Sequence, residues 1–538
     1  MLRYFTVRIQ KLILAAAGIG LLAACGTNPV THKREIQFVS EAAELRIGAE
    51  NYAPMRQSEG GDFRIDPELT AYVSSVGQKL AAVSDRKLPY EFVVLNSSVP
   101  NAWALPGGKV AVNRGLLTEL SSESELAAVL GHEITHAAAR HGAKAQERGT
   151  LLQVGMVAAQ VGMAASNVNG NLGNFALQGA GLGAQLVQMK FGRDQESEAD
   201  HYGMVYMKRA GFDLAGAVTL QETFVRLANE KGKNQSWLEG LFASHPPSTE
   251  RVADNRKTMA ALGGPGGETG AERYKSQLVH LRAIKPAYDK HDAALAAAGK
   301  KDYVTARKLA AEAVKLLPAE GRFPQLQGDI EMADKKPRDA LPYYDKAMAL
   351  SADYFAPFLG AGIAHYKLGN KPRARELLQK STELLPTAPA AYYLGHLSRD
   401  GGDRAKALEY FKAAAGAGGE LGQQAQAEYL ALDLPENPGN YVAIGAQFDA
   451  TGRASITVQN RAPVAIEGIE ITPVMIDDAG QIVQSGTRRT LPLKLQSGEA
   501  ATVDAGLGRL NEAQAAHLRI RVDAARAVAA PAATDTGS

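Results

Sequence analysis

The sequence predicts a multidomain protein in which an α+β domain is followed by an all-α repeat solenoid and a small C-terminal antiparallel β domain. The first 260 residues mix helical and strand patterns, small residues then recur about every 34 positions, and two-residue alternation begins near Tyr441. At roughly 100–200 residues per domain, 538 residues suggest about three domains. A hydrophobic content of 45% is enough to build their cores.

The charge, the cysteine content and the absence of long apolar runs argue against several classes of protein. The formal net charge of +2 gives no electrostatic basis for binding nucleic acid, so no nucleic-acid partner is expected. The single cysteine, Cys25, excludes an intramolecular disulfide. A membrane-embedded enzyme is disfavoured, because the chain after Cys25 contains no clear apolar run of about 20 residues.

Residues 1–25 are predicted to be a lipoprotein signal peptide. A positively charged start precedes an apolar run over 12–24 that is short for a transmembrane helix. The segment Leu22-Ala23-Ala24-Cys25-Gly26 resembles the lipobox of bacterial lipoproteins, which implies lipidation of Cys25 and a membrane anchor in the periplasm. Gly26 in place of Asp favours the outer membrane in a Gram-negative cell. The alternatives are an ordinary signal peptide and an uncleaved anchor.

The α+β domain is expected to span residues 30–260. Its helices are expected at 41–53, 66–84, from the Ser122 cap to Gly142, and at 193–209, and its strands at 90–95 and 109–113. The Gly- and Ala-rich stretch 149–190 is interpreted as two apolar helices joined by a flexible loop, and we suggest that it forms a lid over the active-site cleft.

The strongest chemical motif is His132-Glu133-Ile134-Thr135-His136 on the predicted helix. Residues i and i+4 share a helical face, so both imidazoles can bind one metal ion, and the adjacent Glu133 can act as a general base. The alternative is a helix with two histidines satisfied by the core. A catalytic zinc needs a third protein ligand and one open position.

The segment Arg193–Asp200 offers that ligand, because Glu196 and Asp200 stack on one helical face while Glu198 points away. Here the chain resembles the zinc metallopeptidases that include the CAAX prenyl proteases and the BepA-type periplasmic proteases. The resemblance implies a zincin-like metalloprotease fold with one Zn²⁺ per chain. It further implies that Glu196 is a metal ligand and that Asp200 supports catalysis.

Two further segments resemble the same family. Asn101, Ala102 and Trp103 match its edge strand, along which an extended substrate could pair. His245 lies in a His-Pro segment and is expected to be a fourth, displaceable metal ligand or a stabiliser of the transition state, with a structural role as the open alternative. Helix-end or core roles are expected for His141 and His201.

Beyond this domain, residues 261–284 are expected to be a linker, 285–434 the repeat domain, 438–524 a β-sandwich-like domain and 525–538 a disordered tail. In the repeats, Ala306, Ala340, Ala374 and Ala407 are separated by 34, 34 and 33 residues, and Gly328, Gly362 and Gly395 by 34 and 33. This period resembles that of tetratricopeptide repeats, which bind peptides or proteins.

Together these features predict a zinc metalloendopeptidase of the cell envelope. The family resemblance implies that it cleaves misfolded or stalled outer-membrane proteins, with the repeats docking the substrate or the outer-membrane assembly machinery. The alternative is a periplasmic chaperone or scaffold that acts mainly through the repeats.

Overall fold

The computed structural model describes residues 25–145, 147, 191–229, 245–449 and 451–528. It divides into two compact units, Met1–Pro357 and Phe358–Ser538, which are treated separately below. The predicted signal peptide up to residue 24 and the suggested lid at 149–190 lie outside the described residues. Within the described residues, no helix is both long enough and apolar enough to span a membrane.

The first unit begins with a short hairpin and continues as a mixed α+β domain. Strands β1 (Cys25–Thr27) and β2 (Arg34–Ile36) pair antiparallel. The helices that follow are α1 (Glu41–Ser58), α2 (Pro67–Ala82), α3 (Arg114–Leu117), α4 (Glu123–Ala138), α5 (Arg193–Arg209), α6 (Ala215–Asn229) and α7 (Thr249–Ala261). Helices α1 and α2 match their predicted positions within a few residues, and their buried stripes cover the sheet.

A three-stranded sheet supports the domain. Its strands are β3 (Glu91–Leu95), β4 (Ala102–Leu105) and β5 (Lys109–Asn113), in the order β3-β5-β4. Strand β5 runs parallel to β3 and antiparallel to β4, so β4 is an edge strand. Side chains of this sheet and of helices α2, α4, α5 and α6 form one hydrophobic core.

Helix α4 ends earlier than the expected stop at Gly142. Its last residue is Ala138, and Arg140 adopts a left-handed backbone conformation with φ of 62°. That conformation is uncommon for a residue with a side chain, and here the buried Glu44 binds the Arg140 guanidinium.

The expected linker at 261–284 is helical over much of its length. Glycines with positive φ form the turn at 263–267, but α8 (Ala271–Gln277) follows at once and α9 (Val279–Gly299) begins two residues later. Tyr274 is fully buried and donates a hydrogen bond to the Leu117 carbonyl at 2.7 Å. Composition predicted a spacer, whereas the apolar side chains of this segment complete the core of the first unit.

The repeats are antiparallel helix pairs. They comprise α9, α10 (Tyr303–Leu316), α11 (Arg322–Ala333), α12 (Pro337–Leu350), α13 (Phe355–Lys367), α14 (Lys371–Leu384), α15 (Ala388–Asp400), α16 (Arg404–Ala415) and the closing helix α17 (Gly419–Asp433). The four periodic alanines are all fully buried. A Cβ on Gly328, Gly362 or Gly395 would lie 2.7 Å from Tyr344, Leu378 or Phe411, respectively. The glycine period therefore reflects packing within each helix pair: a large side chain of one helix packs directly against a glycine of the other.

The C-terminal domain consists of two antiparallel sheets around one core. One sheet holds β6 (Val442–Phe448), β7 (Arg453–Asn460) and β11 (Ala500–Arg509); the other holds β8 (Ile466–Ile476), β9 (Ile482–Ser485), β10 (Arg489–Leu495) and β12 (Leu518–Ala527), with the short helix α18 (Glu512–His517) before β12. Strand β12 runs three residues beyond 524, so the β domain ends later than predicted; the expected tail from 529 on lies outside the described residues. The two-residue alternation reflects burial of one face of each strand.

Candidate metal centre and active site

Helix α4 carries the His-Glu-x-x-His motif through the middle of the core. Ser122 caps its N-terminus by accepting a hydrogen bond from the Glu125 backbone, and all 16 residues of the helix are buried. The i, i+4 spacing turns both imidazoles the same way, so that the Nε2 atoms of His132 and His136 lie 3.0 Å apart. Two ring nitrogens this close need a proton or a cation between them.

Helix α5 brings Glu196 to the same point. Its carboxylate oxygens lie 3.4 Å from His136 Nε2 and 3.6 Å from His132 Nε2. The helices can approach so closely because Gly131 of α4 faces Gly203 of α5, where a Cβ on either would lie 3.0 Å from the other helix's backbone. This glycine pair was not identified from the sequence, although two glycines in the two motif helices were a usable signal.

His245 completes the cluster. Its Nδ1 lies 2.9 Å from a Glu196 oxygen and 3.2 Å from His132 Nε2, and its Nε2 lies 3.6 Å from Glu133. One ligand atom from each of His132, His136, Glu196 and His245 falls within 4.8 Å of the others. Tetrahedral zinc with bonds of about 2.05 Å separates its ligands by about 3.3 Å, so this donor set fits such an ion.

Two groups support His132. Its Nδ1 lies 2.9 Å from Asp200, whose carboxylate receives two hydrogen bonds of 2.8 Å from Arg251. Arg251 also lies 3.1 Å from Glu196. Asp200 is therefore placed to orient the His132 ring, while Arg251, which sequence reasoning missed, ties both carboxylates of α5 to α7.

A different chain of groups supports His136. His141 Nδ1 lies 2.9 Å from His136 Nδ1, and its Nε2 lies 3.3 Å from Glu198, which in turn binds Lys33 at 3.0 Å. As expected, the Glu198 side chain points away from Glu196. It contacts His141 instead. His141 is fully buried, in agreement with the expected core role, and it also contacts a motif histidine; His201 is exposed and has no core role.

Burial and charge set the ionisation of the cluster. Burial raises the pKa of Glu133, against the opposing effect of His245 and His132. Burial alone would raise the pKa of Glu196, but the histidines outweigh it and the pKa falls well below its usual value. Burial lowers the pKa of His136. Glu196 is thus ionised beside the neutral imidazole of His136, while Glu133 has the more basic carboxylate.

A small cavity of about 30 Å³ lies beside these residues. Its wall includes His132, Glu133 and Asp200, and its remaining surface is largely apolar; the apolar lining includes Ala102, Val129, Met204, Leu220 and Phe224. This lining favours a small uncharged side chain next to the reacting groups.

The three predicted edge residues have different surroundings. Ala102 of β4 lines the cavity, whereas Trp103 is buried on the other side of the sheet against Tyr52. Asn101 accepts a hydrogen bond from the Asn113 backbone at 2.8 Å. Since antiparallel pairing alternates, the backbone groups of Ala102 and Ala104 point away from β5, towards the open edge.

Comparison with known proteins agrees with this geometry. The model of peptidase family M48 matches residues 67–259, and that of a tetratricopeptide repeat matches 331–395. The chain is 34% identical over 247 residues to the mitochondrial metalloendopeptidase OMA1 of Schizosaccharomyces pombe, covering 45% of this chain and 68% of that protein. It is 32% identical over 262 residues to the metalloprotease YcaL of Escherichia coli, covering 47% of this chain and 98% of that protein.

The chain belongs to peptidase family M48. It is a metalloendopeptidase with tetratricopeptide repeats. A third relative, the β-barrel assembly-enhancing protease of Yersinia pestis, is 28% identical over 412 residues, covering 68% of this chain and 83% of that protein. Among solved structures, that of MamA covers 28% of this chain and 81% of its own at 20% identity, with a TM-score of 0.25.

Proposed function

We propose that this M48 peptidase uses one zinc ion held by His132, His136 and Glu196, with Glu133 as the catalytic base. The observation that carries the proposal is the convergence of two imidazole Nε2 atoms and one carboxylate, with Glu133 beside them. When bound, zinc supplies a Lewis acid for the scissile carbonyl and the attacking water.

The remaining steps fall to the chain's own residues. Glu133 accepts a proton from the attacking water and delivers it to the leaving amine, a role suited to a buried carboxylate of raised pKa. Asp200 accepts a hydrogen bond from the Nδ1–H of His132, which leaves the Nε2 lone pair directed at the ligand cluster. Arg251 keeps Asp200 ionised: burial would raise the pKa of Asp200, but the guanidinium lowers it.

His245 has a switching role in this proposal. One of its ring nitrogens lies within 4.8 Å of the other ligand atoms and close to Glu133, so His245 would hold the metal as a fourth ligand without substrate and would give way to a bound substrate. After withdrawal it can donate a hydrogen bond to the oxyanion of the tetrahedral intermediate.

Substrate binding is assigned to the edge of β4. An extended peptide pairs with the outward backbone groups of Ala102 and Ala104 and places one apolar side chain in the cavity lined by Ala102. Because Trp103 is buried, its side chain shapes the strand and does not contact the substrate.

We further propose that the enzyme is a lipoprotein anchored through Cys25 in the periplasm, at the outer membrane. Its substrates are misfolded or stalled envelope proteins, outer-membrane proteins among them, and its repeats dock the substrate or the assembly machinery. The Yersinia pestis relative, whose name links it to β-barrel assembly, and the repeat match support this proposal.

The test is casein cleavage and metal content for wild type, Glu133→Gln and His136→Ala. Wild type should hold about one zinc and cleave; Glu133→Gln should keep zinc and lose at least about 100-fold in kcat/KM; His136→Ala should lose both. Glu222→Gln, an exposed carboxylate on α6, is the matched control and should change neither. A Glu133→Gln protein that still cleaves would refute the assignment of the base.

The second candidate function is a chaperone or scaffold acting through the repeats. Complementation of a deletion strain by Glu133→Gln separates the two. Full rescue by an inactive but zinc-loaded protein would assign the physiological role to the repeats, whereas no rescue assigns it to proteolysis.

A further inference from the structure

The N-terminal hairpin has two connected properties: its first residue is the proposed lipidation site, and its other side is fixed to the metal-binding helix. Strand β1 pairs with β2 so that Cys25 stands opposite Ile36. A lipid anchor at Cys25 would therefore begin inside a folded element, with no flexible spacer between the acyl chains and the catalytic unit.

Several contacts fix the hairpin to the end of α4. Asn28 is fully buried and donates from Nδ2 to the Ala139 carbonyl at 3.0 Å, and Val30 packs on Ala138 and Ala139. Lys33 binds Glu198, the group that holds His141 against His136. A further pair of contacts lies beyond the hairpin, where Glu147 accepts hydrogen bonds from the backbone of residues 38 and 39 at 2.8 and 2.9 Å.

The outer side of the same segment exposes large apolar side chains. Ile36 is 41% exposed and Phe38 is 46% exposed, although both follow a run of exposed polar residues, His32 to Arg34. Single exposed apolar residues are ordinary on protein surfaces. Here two occur two positions apart, and one of them is the strand partner of Cys25.

Distance links these side chains to a bilayer. Opposite residues of antiparallel strands are about 5 Å apart, and two residues along a strand add about 7 Å. Ile36 and Phe38 therefore lie within about 12 Å of the Cys25 backbone, whose acyl chains would be in the membrane. Of the nearby acidic residues, Glu35 pairs with Lys144, and Glu41 shares Arg86 with the buried Glu44.

We propose that residues 25–39 form a membrane-contact surface in which Ile36 and Phe38 enter the lipid interface. The occupant of this apolar surface is the bilayer that holds the Cys25 anchor, so the inference rests on the lipidation proposed above. Because the hairpin is fixed to α4, the catalytic cluster is held at one distance and orientation relative to the membrane. The enzyme then acts on chains that emerge at the lipid surface.

The experiment uses the full lipidated chain in vesicles of phosphatidylethanolamine and phosphatidylglycerol. Cys25 is the sole cysteine, so once it is lipidated a thiol introduced by Phe38→Cys or Ile36→Cys is the only one that a fluorophore such as NBD can label. The control is Ile482→Cys, at an apolar residue of β9 that is 51% exposed. Quenching by brominated lipids should be about threefold stronger at 36 and 38 than at 482.

The outcomes separate this inference from the lipoprotein proposal. Equal quenching at 38 and 482 on a lipidated protein would overturn the membrane-contact surface and leave the anchor intact. A blue-shifted label at 38 without lipid quenching would also overturn it, by showing that a protein covers the surface. If the wild-type protein itself takes up the label on Cys25, the thiol is free and the lipoprotein proposal fails.

Discussion

The first unit contains two buried polar clusters that are built from similar kinds of residues. They differ in whether their charges and hydrogen-bonding groups satisfy one another. The metal cluster consists of His132, His136, Glu196 and His245. The junction cluster, where the first repeat helix α9 packs on the peptidase domain, consists of Asn96, Arg114, Tyr288 and Glu320. Both are buried, and both combine charges with hydrogen-bonding groups.

In the junction cluster, the polar groups pair with one another. Arg114 donates to Asn96 at 2.9 Å and to Ser98 at 2.6 Å, and its guanidinium stacks 3.4 Å from the centre of the Tyr288 ring. Glu320 receives hydrogen bonds from Asn96 and Tyr288. One cation is matched by one anion, and no further ligand is required to satisfy these groups.

In the metal cluster, the polar groups do not satisfy one another in this way. Ring nitrogens face each other at 3.0 and 3.2 Å and face carboxylate oxygens at 2.9 to 3.6 Å. Lone pairs directed at one point repel unless a cation lies between them. The comparison teaches that burial and charge alone do not mark a functional site, whereas convergent acceptors do.

The largest effect should come from removing the cation of the junction cluster. Arg114→Ala removes the buried charged hydrogen bonds to Asn96 and Ser98 and the guanidinium stacked on Tyr288, so the free energy of unfolding of the first unit should fall by about 3–5 kcal/mol. Urea denaturation combined with hydrogen exchange of α9 measures this. Zinc content and kcat/KM of the folded protein should stay within twofold of wild type.

Arg282→Ala, at an exposed position of α9, is the control and should change stability by less than about 0.5 kcal/mol. If Arg114→Ala instead removed zinc while the unit stayed folded, the junction cluster would be part of the site and the comparison would break.

The next effect concerns the group that ties Asp200 and Glu196 together. Arg251→Leu leaves Asp200 buried without its cation, so His132 loses its orientation, and zinc affinity should fall by about 10–100-fold. Competition with a chelator measures the affinity. Arg256→Leu removes an exposed arginine of the same helix and should leave the affinity unchanged. Equal affinities for both variants would show that Arg251 serves only to pack α7.

A smaller effect is expected at His141. His141→Gln removes the ring that holds His136 Nδ1, and zinc affinity should fall by about tenfold, with a changed absorption spectrum of the cobalt-substituted protein. His201→Gln, at an exposed histidine of α5, is the control. An unchanged cobalt spectrum in His141→Gln would assign His141 to packing alone.

The sequence predicted the elements whose signal is local. The His-Glu-x-x-His helix, the alanine and glycine periods of the repeats and the alternating strands each depend on spacing along one element, and the structure has helices and strands at those places. The family resemblance then supplied the pairing of α4 with α5, which spacing alone could not give because about 60 residues separate the two motifs in sequence.

What the sequence did not show depends on contacts between distant segments. Arg251, the Lys33–Glu198–His141 chain and the Gly131–Gly203 approach each join residues far apart in the chain, and no local period marks them. Tyr274 was assigned to a linker because glycines precede it, yet it is fully buried. Composition describes how a segment behaves alone, whereas burial depends on what lies against it.

The smallest predicted effect concerns a carboxylate of α9 beside the junction cluster and is measured through its pH dependence. Asp292 of α9 accepts from Ser98 and lies 2.9 Å from His291 Nδ1; burial would raise its pKa, but His291 outweighs burial and the pKa is lowered. A carboxyl whose pKa is lower in the folded state stabilises the fold above its unfolded value of about 3.9 and loses that contribution as pH falls through the folded value. Because 43% of the side chain is exposed, Asp292→Asn should cost no more than about 1 kcal/mol at neutral pH, and the cost should shrink as pH falls below the unfolded value. Urea denaturation of both proteins across this acidic range measures the difference, and acid loss of zinc affects both equally. A difference that stayed constant with falling pH would show that Asp292 acts through packing and not through its charge.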